Sequence, residues 1–314
     1  MSGWVLEPAS VQDWIQAWES DPDRTRFQHP DWHQLFADTW PGVYHPAAYR
    51  LRGPDGTDAI LPGSSRRLLK GFASEWTSSP GHTYGGLLGR HSPEAFRQAQ
   101  RLLLERHASY LWIGNPFTNV SSVMQQFTQT LDLTMSDALL DSELDRYKNL
   151  YYARWAERQG LRLHRWTAGA EAFVDIYANA RDRWETGSGV TSHYPPEFFH
   201  RLFAMQGVDV WSVTDGDSSD PIAMGIFLTA GSHVVSWLTL AKTASMKRRP
   251  YQFLYVKRIM DYRADGFRTF DFNPSGGLGG VVDFKRRFGA VRRHFAEYRG
   301  QRAWYRALGM IRKR

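Results

Sequence analysis

Residues 267–290, Phe-Arg-Thr-Phe-Asp-Phe-Asn-Pro-Ser-Gly-Gly-Leu-Gly-Gly-Val-Val-Asp-Phe-Lys-Arg-Arg-Phe-Gly-Ala, constrain the fold more than any other stretch. The alternation through Phe267, Thr269, Phe270, Asp271 and Phe272 predicts a strand. A loop dense in Gly276, Gly277, Gly279 and Gly280 interrupts it, and residues 284–288 restart as a short basic, aromatic element. Such a loop either holds positive φ or lets a ligand approach its backbone. It also reads as a surface loop between two core strands.

The rest of the chain must supply a core for that stretch. A length of 314 residues allows two domains, and 42% apolar content excludes wholesale disorder. The absence of cysteine rules out disulfides, thiolate metal sites and cysteine nucleophiles, and it fits a reducing compartment. The first residues carry no basic segment leading into an apolar run, and no apolar run is long enough to span a bilayer. No signal peptide, no integral membrane segment and a cytoplasmic location are therefore expected.

Charge is unevenly spread. Residues 242–314 hold 19 Lys or Arg against 5 Asp or Glu, a balance of +14, whereas residues 1–241 hold 20 against 27, a balance of −7. The polarity points to a partner or substrate with several negative charges, such as a nucleotide, a coenzyme, an RNA or a lipid headgroup. A basic face that serves only solubility fits the same count.

Along the chain, Ser10 and Ser92 read as helix caps, the latter before Pro93. Gly53-Pro54-Asp55-Gly56 predicts a hairpin between 49–52 and 59–61, and a strand is expected near 68–72. One helix is predicted over 137–160, with a domain boundary at its start. Strands are predicted at 161–166, 208–214, 222–230 and 233–241, the last two joined as a hairpin by Gly231-Ser232. A helix runs from Pro250 to a stop at Gly266, and 301–314 forms a small last element with a basic tip. The pattern predicts a mixed α+β fold, a sheet with helices on its faces, in which ligands bind where strands end or part.

The usual chemical signatures are missing: there is no His-Glu-x-x-His, no Walker lysine loop and no Gly-x-Ser-x-Gly. The histidines are scattered, and His193, His200 and His294 read as solvated or core-edge residues, so no metal is expected. Lys285 has two readings: a cation at the mouth of the glycine loop that stabilises a developing oxyanion, or one of three basic residues on a solvated face. Asp271 either accepts hydrogen bonds that fix the loop or has a raised pKa suited to proton transfer. Free amides at the start of the Pro250 helix, flanked by Lys247, Arg248 and Arg249, make a sensible anion site.

Several segments in order resemble the FemAB-like branch of the GNAT acyltransferase superfamily. They are 208–214, Pro221-Ile222-Ala223-Met224-Gly225, Pro250 to Tyr255, Gly266 to Phe272, and Phe284-Lys285-Arg286-Arg287-Phe288-Gly289. Phe27-Gln28 with Trp32, Tyr84-Gly85-Gly86-Leu87, and 149–160 match landmarks of the N-terminal half. The resemblance covers about residues 25–300 and rests on order and spacing. It implies tandem GNAT-like domains, each a mostly antiparallel sheet flanked by helices. These would be an acceptor-side domain over 1–140, a donor domain over 141–300, and a tail, 301–314, returning to the first.

The resemblance implies N-acyl transfer, with Lys285 at the acyl-donor end, Phe284 beside it, and the acceptor amine entering from the interdomain cleft. Donor-side candidates are Trp237, Thr239, Lys247, Arg248, Arg249, Asn273, Ser275, Phe284, Arg286 and Arg287. Catalytic candidates are Lys285 and Asp271, and acceptor-side candidates are Gln28, Trp32, Tyr84 and Arg183. Aminoacyl-tRNA is the favoured donor because the basic C-terminal region suits a polyanion, with no tightly bound cofactor expected. The alternatives are an acyl-CoA-dependent enzyme acting on a small-molecule or lipid amine, and a non-catalytic nucleic-acid-binding or adaptor protein. Two departures weaken a peptidoglycan acceptor: the long helical arm of some cell-wall enzymes is absent, and no basic residue follows Trp32 at the expected place. A third, Met246-Lys-Arg-Arg-Pro250 in place of a glycine-rich pyrophosphate loop, weakens ordinary acetyl-CoA binding.

Overall fold

Local signals set most element ends. In the computed structural model, which describes residues 3–81, 83–118, 124–188 and 193–311, β1 (Val5–Pro8) leads into α1 (Val11–Ser20). Ser10 and Asp13 cap α1 reciprocally, with Asp13 N donating to Ser10 Oγ at 3.0 Å. α2 (Pro30–Thr39), β2 (His45–Pro46), β3 (Tyr49–Arg52), β4 (Asp58–Leu61), β5 (Ser64–Leu68), β6 (Ala73–Thr77) and β7 (Leu88–Arg90) follow. Then come α3 (Pro93–Arg106), capped by Ser92, β8 (Ser109–Ile113) and β9 (Met124–Asp132).

The second half runs α4 (Asp137–Asp145), α5 (Asn149–Arg158), β10 (Leu161–Arg165), α6 (Glu171–Ser188) and α7 (Pro196–Phe203). β11 (Val208–Asp215), β12 (Pro221–Ala230), β13 (His233–Ala241), α8 (Pro250–Ala264), β14 (Thr269–Asp271) and α9 (Gly279–Arg286) come next. β15 (Val291–Gln301) and α10 (Ala303–Ile311) close the chain.

The chain divides into two compact units, residues 1–127 with 293–314, and residues 128–292. In the first, one sheet has the order β1-β3-β4-β7 and the other β15-β8-β6-β5-β2. β6 and β8 are parallel, joined through β7 and α3, while their neighbours are antiparallel. Trp76, Trp112, Leu51, Leu61 and Leu103 are fully buried in the core between sheet and helix. Gly63 is obligatory there, because a Cβ would lie 2.2 Å from the Trp76 ring.

In the second unit the order is β10-β11-β12-β13-β14-β9, antiparallel except for β13 and β14. These two run parallel because α8 crosses between them, as a parallel connection requires. Phe227, Leu254, Ile259, Tyr262 and Phe270 are buried where α8 covers the sheet, and α5 packs beside α8.

The structure corrects three sequence expectations. The helix expected over 137–160 is two, α4 and α5, broken at Lys148, whose φ of 62° is left-handed. The strand expected near 68–72 is a hairpin turn: Leu68 ends β5, and Leu69, Lys70 and Gly71 all have positive φ. Of the glycine-rich loop, Gly276 and Gly277 take positive φ, but Gly279 and Gly280 belong to the first turn of α9. Val281, Val282 and Phe284 supply that helix with an apolar side that glycine propensity conceals.

Candidate active site

The centre of unit 2 is the place where β13 and β14 stop pairing. Registered pairs run from His233↔Thr269 through Val234↔Phe270 to Val235↔Asp271 and end there, while β13 continues against β12 to Ala241. At the same level the β12 register shifts, with Phe227 opposite Ser236 and Ile226 opposite Leu238, so Trp237 is a bulged residue. A bulge re-aims side chains and ends pairing, and it is common beside active sites.

One residue ties the parted strands. Asn273, left-handed at φ 64°, donates from Nδ2 to the Trp237 carbonyl at 3.3 Å. Its own backbone N–H donates to Asp271 Oδ1 at 2.8 Å, and its carbonyl accepts from Lys285 Nζ at 2.5 Å. The fully buried Asp271 also accepts from the Thr128 hydroxyl. Asp271 thus fixes the turn after β14, and Lys285 clamps the same turn from α9. Asn273→Ala should cost about 1–2 kcal/mol in urea unfolding, because alanine tolerates the left-handed region poorly, whereas Asn273→Gly should recover most of it.

Lys285 points inward, unlike its two basic neighbours. It is 6% exposed, and burial lowers its pKa from 10.5 to about 8, with the Asp271 charge opposing the shift. An ammonium has three donors; Asn273 uses one, leaving two for another group. Arg286 and Arg287 lie on the exposed side and both pair with Asp283, which holds that carboxyl below the usual range. Arg286 also donates to the Tyr147 hydroxyl at 2.5 Å.

Around this turn, Ser275 is buried, with Oγ 3.5 Å from Gln129 Oε1, and Gln129 Nε2 donates to the Val282 carbonyl at 3.0 Å. Phe284 packs on Tyr251, Tyr255 and Phe288. Trp237 is covered by Tyr194 and Phe198, at 5.4 and 5.8 Å between ring centroids. Thr239 Oγ1 lies 3.2 Å from Ser236 Oγ, which lies 3.0 Å from the Tyr255 hydroxyl. Burial raises the Tyr255 pKa, keeping the phenol neutral. Thr128, Gln129, Ser236, Tyr255, Tyr194 and Phe198 are absent from the sequence-derived candidates; only Tyr255, a polar ring inside an apolar helix, carried a local signal.

The start of α8 is a separate cluster. Arg249, φ 62°, is its N-cap and stacks on Tyr152 of α5 at 4.6 Å, with no side-chain cap on the helix. Arg248 is committed to Asp215 and the Gln159 carbonyl. Lys247 is exposed and makes no ion pair among the described residues. The candidate cations therefore do not form one cluster: Lys285 is inside, Arg286 and Arg287 are on Asp283, and Lys247 and Arg249 stand at α8.

In unit 1, Gln28, Trp32 and Tyr84 are fully buried. Gln28 Oε1 accepts from Thr25 N at 3.0 Å, Trp32 packs on Phe27 and Phe36, and Tyr84 packs on Phe27 and Phe295. Arg183 is in α6, and its side chain lies outside the described residues.

Residues 136–286, just under half the chain, match the family described as "Acetyltransferase (GNAT) domain". Over residues 136–286 the fold is GNAT-like. The structure of FemX matches it with a TM-score of 0.68 at 12% identity, covering 94% of this chain and 97% of that one. L-PGS from Bacillus licheniformis matches with a TM-score of 0.54 at 12% identity, covering 95% and 94%. The C-terminal domain of a putative lysylphosphatidylglycerol synthetase from Agrobacterium fabrum gives 0.51 at 12% identity, covering 96% of each chain. No curated protein matches the sequence. Likeness at this identity carries the fold alone. No group of His, Asp and Glu among the described residues is arranged to hold a metal ion.

Proposed function

We propose that unit 2 binds an activated acyl donor where β13 and β14 part, and that the protein transfers the acyl group to an amine. The observation that carries this reading is the end of pairing after Val235↔Asp271, beside a bulge and a buried, partly spare ammonium. A carbonyl placed there would meet Lys285, whose two remaining N–H groups can hold the oxyanion as the amine attacks. The amine nitrogen forms the new C–N bond, the donor C–O or C–S bond breaks, and the leaving oxygen or sulfur takes up a proton equivalent to the one the amine loses. Positioning of the amine supplies the remaining rate enhancement.

The preferred donor is aminoacyl-tRNA. Lys247 and Arg249 at α8 and Arg154 and Arg158 on the exposed side of the adjoining α5 suit a polyanion, and Met246–Pro250 offers no glycine-rich pyrophosphate loop. Parallel strands around a helix in each unit favour two GNAT-like domains in tandem, with unit 1 as the acceptor side and the buried Gln28, Trp32 and Tyr84 supporting it from within rather than touching the acceptor. A second reading has a lipid acceptor, because one similar structure is described as a putative lysylphosphatidylglycerol synthetase, a name that joins an amino acid to a lipid headgroup.

The test is mass detection of products after purified protein meets separate pools of aminoacyl-tRNA and acyl-CoA, with peptide, small-molecule and lipid amines as acceptors. Amides formed from aminoacyl-tRNA are the expected result. Products from acyl-CoA alone would replace the donor, and no product from either pool would overturn acyl transfer.

A further inference from the structure

The sheet register of unit 1 gathers two exposed apolar elements at one end. Glu75 of β6 is level with Ser109 of β8, and Ser109 is level with Gln301 of β15. The β5–β6 hairpin tip precedes Glu75 by a few residues, and α10 begins two residues beyond Gln301. Backbone bonds fasten this end: Ala108 N donates to the Ser74 carbonyl at 3.0 Å, and Arg302 N to the Ala108 carbonyl at 2.9 Å.

Both elements carry apolar groups that the protein does not cover. Phe72 is 86% exposed, after three successive left-handed residues, Leu69 at 51°, Lys70 at 54° and Gly71 at 97°. Two non-glycine residues in that region are costly, and the side chains at the tip recover little of it by packing. On α10, Trp304 and Leu308 stand one turn apart, 44% and 41% exposed.

Cations accompany them. Arg67, Lys70 and Arg306 are exposed and make no ion pair among the described residues. The acids of this end are occupied: Glu75 pairs with Arg66 and Glu105 with Arg101. Arg302 is turned to the Leu104 and Glu105 carbonyls.

We propose that this end of unit 1 docks on an anionic lipid bilayer, with Phe72, Trp304 and Leu308 entering the headgroup–acyl boundary. Aromatic and leucine side chains beside free Lys and Arg are what an interfacial, non-spanning contact uses, and no helix among the described residues can span a membrane. A nucleic acid would use the cations and leave Phe72 and Leu308 without a role. The inference stands apart from the acyl-transfer reading, which concerns unit 2.

Sedimentation of the full chain with phosphatidylcholine vesicles, with and without phosphatidylglycerol, tests it. Binding to the anionic vesicles that weakens with salt is expected. Phe72→Ser with Trp304→Ser should lower that affinity about tenfold or more, and Arg67→Ser with Lys70→Ser about fivefold per charge. All four side chains are exposed, so these variants should keep the parent's thermal melt. The chain lacks cysteine, so Phe72→Cys carries a single polarity-sensitive dye; its emission should shift blue on anionic vesicles, and that of Val11→Cys on α1 should not. The proposal is overturned by absence of binding to anionic vesicles, by undiminished binding of Phe72→Ser/Trp304→Ser, or by an unshifted dye at 72. It is equally overturned if the serine pair abolishes RNA binding and leaves vesicle binding intact.

Discussion

Replacing Lys285 with methionine is expected to lower kcat for acyl transfer about 100- to 1,000-fold without unfolding the protein. Methionine preserves length and apolar stem, so Phe284 and Phe288 keep their packing. It loses the bond to the Asn273 carbonyl and gains relief from a buried charge. A pKa lowered from 10.5 to about 8 means that holding the ammonium inside costs about 3 kcal/mol below pH 8. Between about pH 8 and 10.5 the unfolded chain binds a proton that the folded chain has released, so this residue makes stability rise with pH in that window. Urea titrations across it should show the rise in the parent and not in Lys285→Met.

Activity should run the opposite way. An oxyanion-holding lysine works as the ammonium, so kcat/KM should fall as pH rises through about 8, given the lowered pKa. Hydroxylamine as acceptor, uncharged across this range, keeps acceptor titration out of the profile. A rise through the same pH would make Lys285 a base instead. Activity within tenfold of the parent in Lys285→Met would remove it from the chemistry.

Much of this site was legible before the fold was known, in so far as its parts lie close in sequence. Gly231-Ser232 announces the β12–β13 hairpin, Pro250 and Gly266 bound α8, and a carboxylate between Phe270 and Phe272 is conspicuous. The direction of Lys285 was not among them: the sequence fits both a cation at the loop mouth and a solvated basic face, and only the 6% exposure of the side chain separates the two. The Thr128–Asp271 and Asn273–Trp237 bonds join residues 143 and 36 apart and leave no local pattern. The charge count of 242–314 overstated what is free, because Lys242, Lys257, Arg258, Arg263 and Arg248 meet Asp220, Glu157, Asp261, Asp137 and Asp215.

Asp271→Leu is expected to destabilise unit 2 by about 3–5 kcal/mol, read as a drop in the urea midpoint at unchanged slope. The substitution removes the acceptor of the Asn273 N–H and the Thr128 hydroxyl, and it strips Lys285 of the negative charge that supports its ammonium. The two losses separate in a double-mutant cycle with Lys285→Met. If the attraction between the two charges carries part of the effect, the double variant should be more stable than the sum of single effects by about 1–3 kcal/mol, because no buried charge is left uncompensated. Strict additivity would mean that Asp271 acts only through the turn it caps. In that case Asp271→Asn, which keeps an acceptor oxygen for the Asn273 N–H, should recover most of the stability and leave the Lys285 pKa where it is.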